Sequence, residues 1–232
     1  PGDPHRFELE VGPFDHYERT VELLGAGGGA GSGVEVKVPT HFRLAIPLWS
    51  PLFRGLYKQA FAQVVPPEKS PWWVPPDHID ARASRSLSLL CAYAAFASYL
   101  GVLLSQTNTY FGADFGSSKS ELADALIGVR LGAFLALGVM VFADRVGRRR
   151  VLVTSMIVGS VVSAAGAFAP NLLLLGLSQS TARTCSATVG VLVVIMAAEE
   201  MPANSRAFAV SMLTMSGALG AGGVVGGLQI AE

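Results

Sequence analysis

Charge is scarce in this chain. Asp, Glu, Lys and Arg make up 15% of its 232 residues, whereas an ordinary soluble domain carries about 25%. The 17 basic and 17 acidic side chains cancel, so there is no electrostatic footprint for a nucleic acid, and none is expected as a partner. Two cysteines, Cys91 and Cys185, exclude a disulfide scaffold. A hydrophobic share of 51% excludes a disordered chain, and the 26 glycines follow no collagen period. His5, His16, His41 and His78 stand apart without metal-ligand spacing. No catalytic constellation appears, so the expectation is a protein that is not an enzyme and has no cofactor or metal. The glycine-rich stretch 25–33 lacks the Lys-Ser/Thr pair of a phosphate cradle and is read as a hairpin loop.

What is present is unevenly placed. Residues 1–86 hold 19 of the 34 charges, 11 of the 13 prolines and all three tryptophans. The remainder is nearly all apolar or small. A helix needs about 20 apolar residues to cross the hydrocarbon core, at about 1.5 Å per residue. Runs of that kind lie at 87–107, 125–143, 151–169, 172–198 and 207–231, the second interrupted by Arg130 and the fourth by Arg183. The expected fold class is mainly α: a multi-span transmembrane helix bundle, preceded by a small partial α+β soluble segment. The expected domains are an α+β segment at 1–65, a Pro/Trp-rich linker at 66–86 and a membrane domain at 87–232. Pro1 follows no visible signal peptide and Glu232 directly follows an apolar run, so the chain is read as a piece of something longer.

Basic residues orient such spans. If the five alternate, Arg82, Arg85, Arg145, Arg148, Arg149, Arg150 and Arg206 share one side, and Lys119 alone falls on the other beside Asp114, Glu121 and Asp124. That split predicts a multi-pass protein of the cell membrane with its N-terminal segment in the cytoplasm. The turn between spans two and three reads Phe142-Ala143-Asp144-Arg145-Val146-Gly147-Arg148-Arg149-Arg150-Val151-Leu152. Gly147 can take the positive φ that reverses the chain. Asp144 closes an apolar helix, where the helix dipole disfavours an acid, so it calls for a partner. Stop-transfer arginines alone would need neither residue.

This turn resembles the major facilitator superfamily signature G-x-L-A-D-R-x-G-R-[KR]-x-x-L, through Ala143, Asp144, Arg145, Gly147, Arg148, Arg149 and Leu152. Met140 and Phe142 depart from it. Between spans four and five, Glu199, Pro202 and Arg206 are similar to that family's E-x-x-P-x-x-x-R-G string, with Ala207 in the glycine position. The resemblance covers residues 87–232 and implies the first five of twelve helices. It further implies a secondary, proton-coupled transporter that moves a small solute by alternating access, its partners being that solute, the lipid bilayer and the C-terminal half of the same transporter. Asp144 and Arg145 would then hold one end state together.

Arg183 lies in a polar run, Ser178 to Ser186, and should face the bundle interior or a wet cavity. Ser180 and Thr184 fall within a turn of it and are expected to line the same face. Arg183, Thr184 and Ser180, with Arg130, Gln106 and Asn108, are the substrate or coupling candidates. Arg130 is expected to snorkel outward toward Asp114, Glu121 or Asp124. Gly222 and Gly226 show the GxxxG spacing of close helix packing.

In the first segment, alternation at 16–24 and 34–45 predicts two strands, and 51–65 a short helix. Trp72 and Trp73 are read as interface anchors. The order strand, loop, strand, helix resembles the end of a START-like polyketide-cyclase or SRPBCC domain, a family that binds apolar ligands. That resemblance implies an alternative: a membrane-anchored protein that binds or is regulated by a lipid or polyketide.

Overall fold

The computed structural model describes residues 5–8, 11–24, 35–62, 71, 73–114 and 119–231. Among these residues four strands precede six α-helices: β1 His5–Glu8, β2 Phe14–Leu24, β3 Glu35–Lys37, β4 Thr40–Leu44, α1 Ser50–Ala62, α2 Ala81–Asp114, α3 Lys119–Val146, α4 Arg148–Gly166, α5 Leu172–Glu200 and α6 Arg206–Ala231. The chain divides into two compact units, one of Pro1–Leu89 with Met201–Ser205 and one of Leu90–Glu200 with Arg206–Glu232.

In the first unit β2 is the central strand, antiparallel to β1 on one edge and to β3 and β4 on the other. β3 and β4 continue one register, since Glu22 pairs Lys37 and Arg19 pairs Thr40. Pro39 separates them because it has no N–H to give the ladder, while its carbonyl still accepts from Thr20 N at 3.1 Å. The expected hairpin is therefore present, with two differences: Pro39 splits its second strand, and β1 adds a strand that the alternation of 16–24 and 34–45 did not indicate. The glycine-rich loop and Trp72 lie outside the described residues.

A bulge between Phe14 and His16 sets the core. Strand alternation alone would turn Phe14 and Tyr17 to opposite faces, and one extra residue returns them to the same face. Tyr57 and Phe61, one turn apart on α1, pack there with Phe42: ring centroids lie 5.4 Å apart for Phe14–Tyr57 and 5.2 Å for Phe42–Phe61. Trp73 closes the cluster 4.9 Å from Tyr57 and is buried, so it is a core residue rather than an exposed anchor. Burial pushes the Tyr57 hydroxyl up to about 12, because the phenolate would lose its water.

The stretch read as a linker ends early. Asp80 caps α2 by accepting from Ala83 N at 2.7 Å, the usual carboxylate bond to the third helical amide. Trp49 Nε1 donates to Ser88 O at 3.1 Å, and Arg85 pairs with Asp15. The α5–α6 connection belongs to the same unit: Ser205 Oγ accepts from Asp77 N at 3.1 Å, and Asn204 Nδ2 donates to Asp77 Oδ1 at 3.4 Å.

The second unit is a bundle of α2 from Leu90 onward with α3 to α6. Ala81–Leu103, Arg148–Gly166, Leu172–Glu200 and Ala203–Gly227 are long and apolar enough to cross a membrane. α3 covers the remaining expected span with 28 helical residues, and its exposed side chains include Leu131, Phe134, Leu135, Leu137 and Val141. Among the described residues it is not one of the four. α4 stops at Gly166, three residues before the apolar run does, because Pro170 forbids continuation and Asn171 restarts the chain as the cap of α5, accepting from Leu174 N at 2.9 Å.

Hydroxyls in these helices mostly donate to carbonyls three or four residues back, as Thr188 does to Thr184 and Ser216 to Met212. That satisfies them without water. Small residues bring helices together. A Cβ on Gly132 of α3 would lie 2.7 Å from Ser180 O of α5, and one on Gly159 of α4 would lie 2.9 Å from Cys185 Cβ. On α6 the close approach to α2 falls at Gly217 and Gly220, while Gly222 and Gly226 have open space around them. Position 138, the glycine nearest the departure at Met140, is open too.

Candidate functional site

Two clusters gather the residues that the sequence singled out. The first is the α3–α4 turn. Gly147 N donates to Ala143 O at 2.9 Å and ends α3, and Gly147 O accepts from Arg150 N at 3.1 Å and begins α4. A one-residue reversal of this kind requires φ of +108° at Gly147, which a side chain disfavours. Gly147→Ala is accordingly expected to cost about 1–3 kcal/mol, seen as a lower melting temperature in mild detergent.

The turn brings the acid and the arginine together. Arg148 Nε donates to Asp144 Oδ1 at 3.0 Å, and Arg148 Nη1 donates to Glu199 Oε1. One guanidinium thus ties the end of α3 to the end of α5. Asp144 has the partner its position called for, and it is Arg148 rather than Arg145. Arg145 and Arg149 are exposed, Pro202 is half-buried ahead of the 3₁₀ turn Ala203–Ser205, and Arg206 opens α6. Both pairs are solvent-accessible, so their contribution to stability is small; a contact of this strength suits a reversible latch.

The second cluster surrounds Arg183. Its Nη1 donates to Gly101 O of α2 at 2.7 Å. A side chain at 101 would crowd that head, since a Cβ there lies 2.6 Å from Nη1. Arg183 opens onto a cavity of about 520 Å³ between α2, α5 and α6 that is more open than enclosed; its volume is within the usual range for small-molecule sites. Ser98, Ser186 and Thr214 are its other polar walls; Ala94, Ala97, Val193, Val194, Leu213 and Ala218 make up much of the rest.

Ser180 and Thr184 are placed elsewhere. Thr184 Oγ1 donates to Gly132 O at 2.7 Å and Ser180 Oγ to Gly128 O at 3.4 Å, so both bind α5 to α3 and neither lines the cavity. Two bonds one turn apart make a seam, continued by Ala136 and Thr188, both buried. The four-residue spacing of Gly128, Gly132 and Ala136 was the signal for it. Arg130 is exposed on α3 and Gln106 on α2, outside the cavity. Asn108, Asp114, Lys119, Glu121 and Asp124 lie outside the residues whose side chains are described. Sequence reasoning passed over Ser98 and Thr214, which no polar run marks, and Ser186, which ends the run holding Arg183.

No family model, curated protein or solved structure matches the chain.

Proposed function

We propose that the helices form part of a secondary transporter of the major facilitator type, moving a small solute by alternating access with coupling to protons. The observation that carries this reading is the Arg148 bridge. The two loop strings that resemble the family meet at one guanidinium, Asp144 from the first and Glu199 from the second. A plain membrane anchor has no use for that clasp.

In this reading α3 is a fifth span, supported by its exposed apolar face. The arginine-bearing turns then lie in the cytosol with the first segment, in the cell membrane, and further helices of the same transporter complete a second half. Rocking of α5 against the α3–α4 turn breaks and remakes the Arg148 pairs, which therefore weight one end state over the other. Arg183 supplies the charge inside the bundle.

The reading is tested by reconstituting the reading frame that contains this chain and screening solutes for uptake under an imposed pH gradient. Gradient-dependent uptake is expected, and Asp144→Asn should slow it by up to about fivefold, the most that an exposed ion pair of about 1 kcal/mol supplies. Ligand retention by residues 1–86 with no flux in any screen would favour the lipid- or polyketide-binding alternative.

A further inference from the structure

We propose that the cavity between α2, α5 and α6 binds an amphiphilic monoanion, its oxyanion head on Arg183 and its apolar body along Val193, Val194 and Leu213. The inference deepens the transport reading by naming a substrate class, and rests on it for the site's purpose.

The charge argues first. Arg183 carries five N–H donors, and among the described residues its hydrogen bond is the single one to Gly101 O. It has no ion pair among the described residues. The nearest acid along α5 is Glu199, sixteen residues away, or about 24 Å at 1.5 Å per residue. A half-buried guanidinium on an apolar wall, with no acid beside it among the described residues, is costly, and an anion lowers that cost.

The walls argue second. Ser186 Oγ already donates to Arg183 O at 3.0 Å, and Thr214 Oγ1 to Val210 O at 2.9 Å. Their protons are committed to the backbone, which leaves Arg183 as the one charged donor on the wall and Ser98 as a neutral one. Beyond them the wall is aliphatic. From Arg183 to Val194 it extends about 16 Å along α5, and a sugar lying there would leave its hydroxyls unpaired, at a cost no hydrocarbon or aromatic body incurs. A cation is repelled. The same chemistry has two sources: a soluble carboxylic acid, or an anionic phospholipid entering from the bilayer.

The test uses the full chain in nanodiscs of zwitterionic lipid, with decanoate, decanol and decyltrimethylammonium as probes in calorimetric titrations. Decanoate is expected to bind about tenfold or more tighter than decanol, the advantage of a hydrogen bond to a charged group. Arg183→Gln should abolish that ratio. Gly190→Leu, at an open position on the cavity wall, should weaken decanoate and decanol together while Arg183 remains.

Adding phosphatidylglycerol separates the sources. If lipid is the occupant, decanoate binding falls as its fraction rises, and wild type retains it through delipidation while the glutamine variant does not. If the occupant is soluble, decanoate binding is unaffected. Equal affinity for decanoate and decanol overturns the proposal, as does an unchanged ratio in folded Arg183→Gln. Should that variant fail to fold, undiminished decanoate binding by Gly190→Leu overturns it. Charge-selective binding without flux in any screen removes transport and keeps the site; flux without such binding does the reverse.

Discussion

Gly220→Ala is expected to drive α6 off α2 and to lower the melting temperature in mild detergent by about 6–12 °C, while Gly222→Ala leaves it unchanged or slightly raised. An added Cβ at 220 falls on the Ala95 carbonyl oxygen, with Ala95 Cα 2.9 Å away. All of the atoms it meets are helix backbone, so no rotamer change relieves the clash and the helices must part. Overpacking costs about 1–3 kcal/mol where side chains can adjust, and here they cannot, which puts the cost at about 3 kcal/mol. For a chain of this length each kcal/mol moves the midpoint by about 2–4 °C.

At 222 nothing lies within 4 Å of the added atom, and a compatible glycine-to-alanine change contributes about 0.4–1 kcal/mol through the unfolded chain. Equal melting of the two variants would show that the α2–α6 contact does not hold the bundle. Loss of Gly220 packing also opens the cavity wall, since Gly217, Ala218 and Ala221 line it.

The contrast between 220 and 222 shows where the sequence stops being informative. Six glycines between 217 and 227 share one helix, and a four-residue spacing identifies a pair that could pack without saying which face meets a neighbour. Gly222 and Gly226 have the motif; Gly217 and Gly220 have the partner. Long-range geometry decides such questions, and no local signal carries it. Arg183 behaved similarly: its chemistry made an interior position legible, whereas its partner, a carbonyl 82 residues earlier, was not. Spacing alone puts Ser180 and Thr184 on its face, whereas their hydroxyls bond to α3.

Local physics was more legible. A glycine followed by a charged cluster after an apolar run announces a reversal, and Gly147 has the positive φ that it requires. An acid at a helix C-terminus announces a cation, and Arg148 sits one turn on. The hairpin could be read from alternation. The bulge at Asp15 could not, and that bulge is what aligns the aromatic core.

That core makes Phe14→Ala the sharpest test of how the chain divides its labour. Phe14 is 8% exposed and touches Tyr17, Phe42, Tyr57 and Phe61. Replacing a buried phenylalanine by alanine costs about 3–5 kcal/mol, a large part of the 5–15 kcal/mol that holds a domain together. The sheet unit is expected to loosen, visible as a red shift of tryptophan emission, because Trp73 packs against Tyr57 in the same cluster. Helical circular dichroism should stay near wild type, since α2 to α6 hold most of the helical residues. Flux then separates the two readings. If the helices are a carrier, uptake under a pH gradient persists with the sheet unit loosened, reduced only as far as Asp77 loses its hold on Ser205 and Asn204. If the helices only anchor a ligand-binding unit, ligand retention and activity disappear together with the tryptophan signal. A variant with native tryptophan emission would instead mean that the aromatic cluster does not carry the fold of this unit.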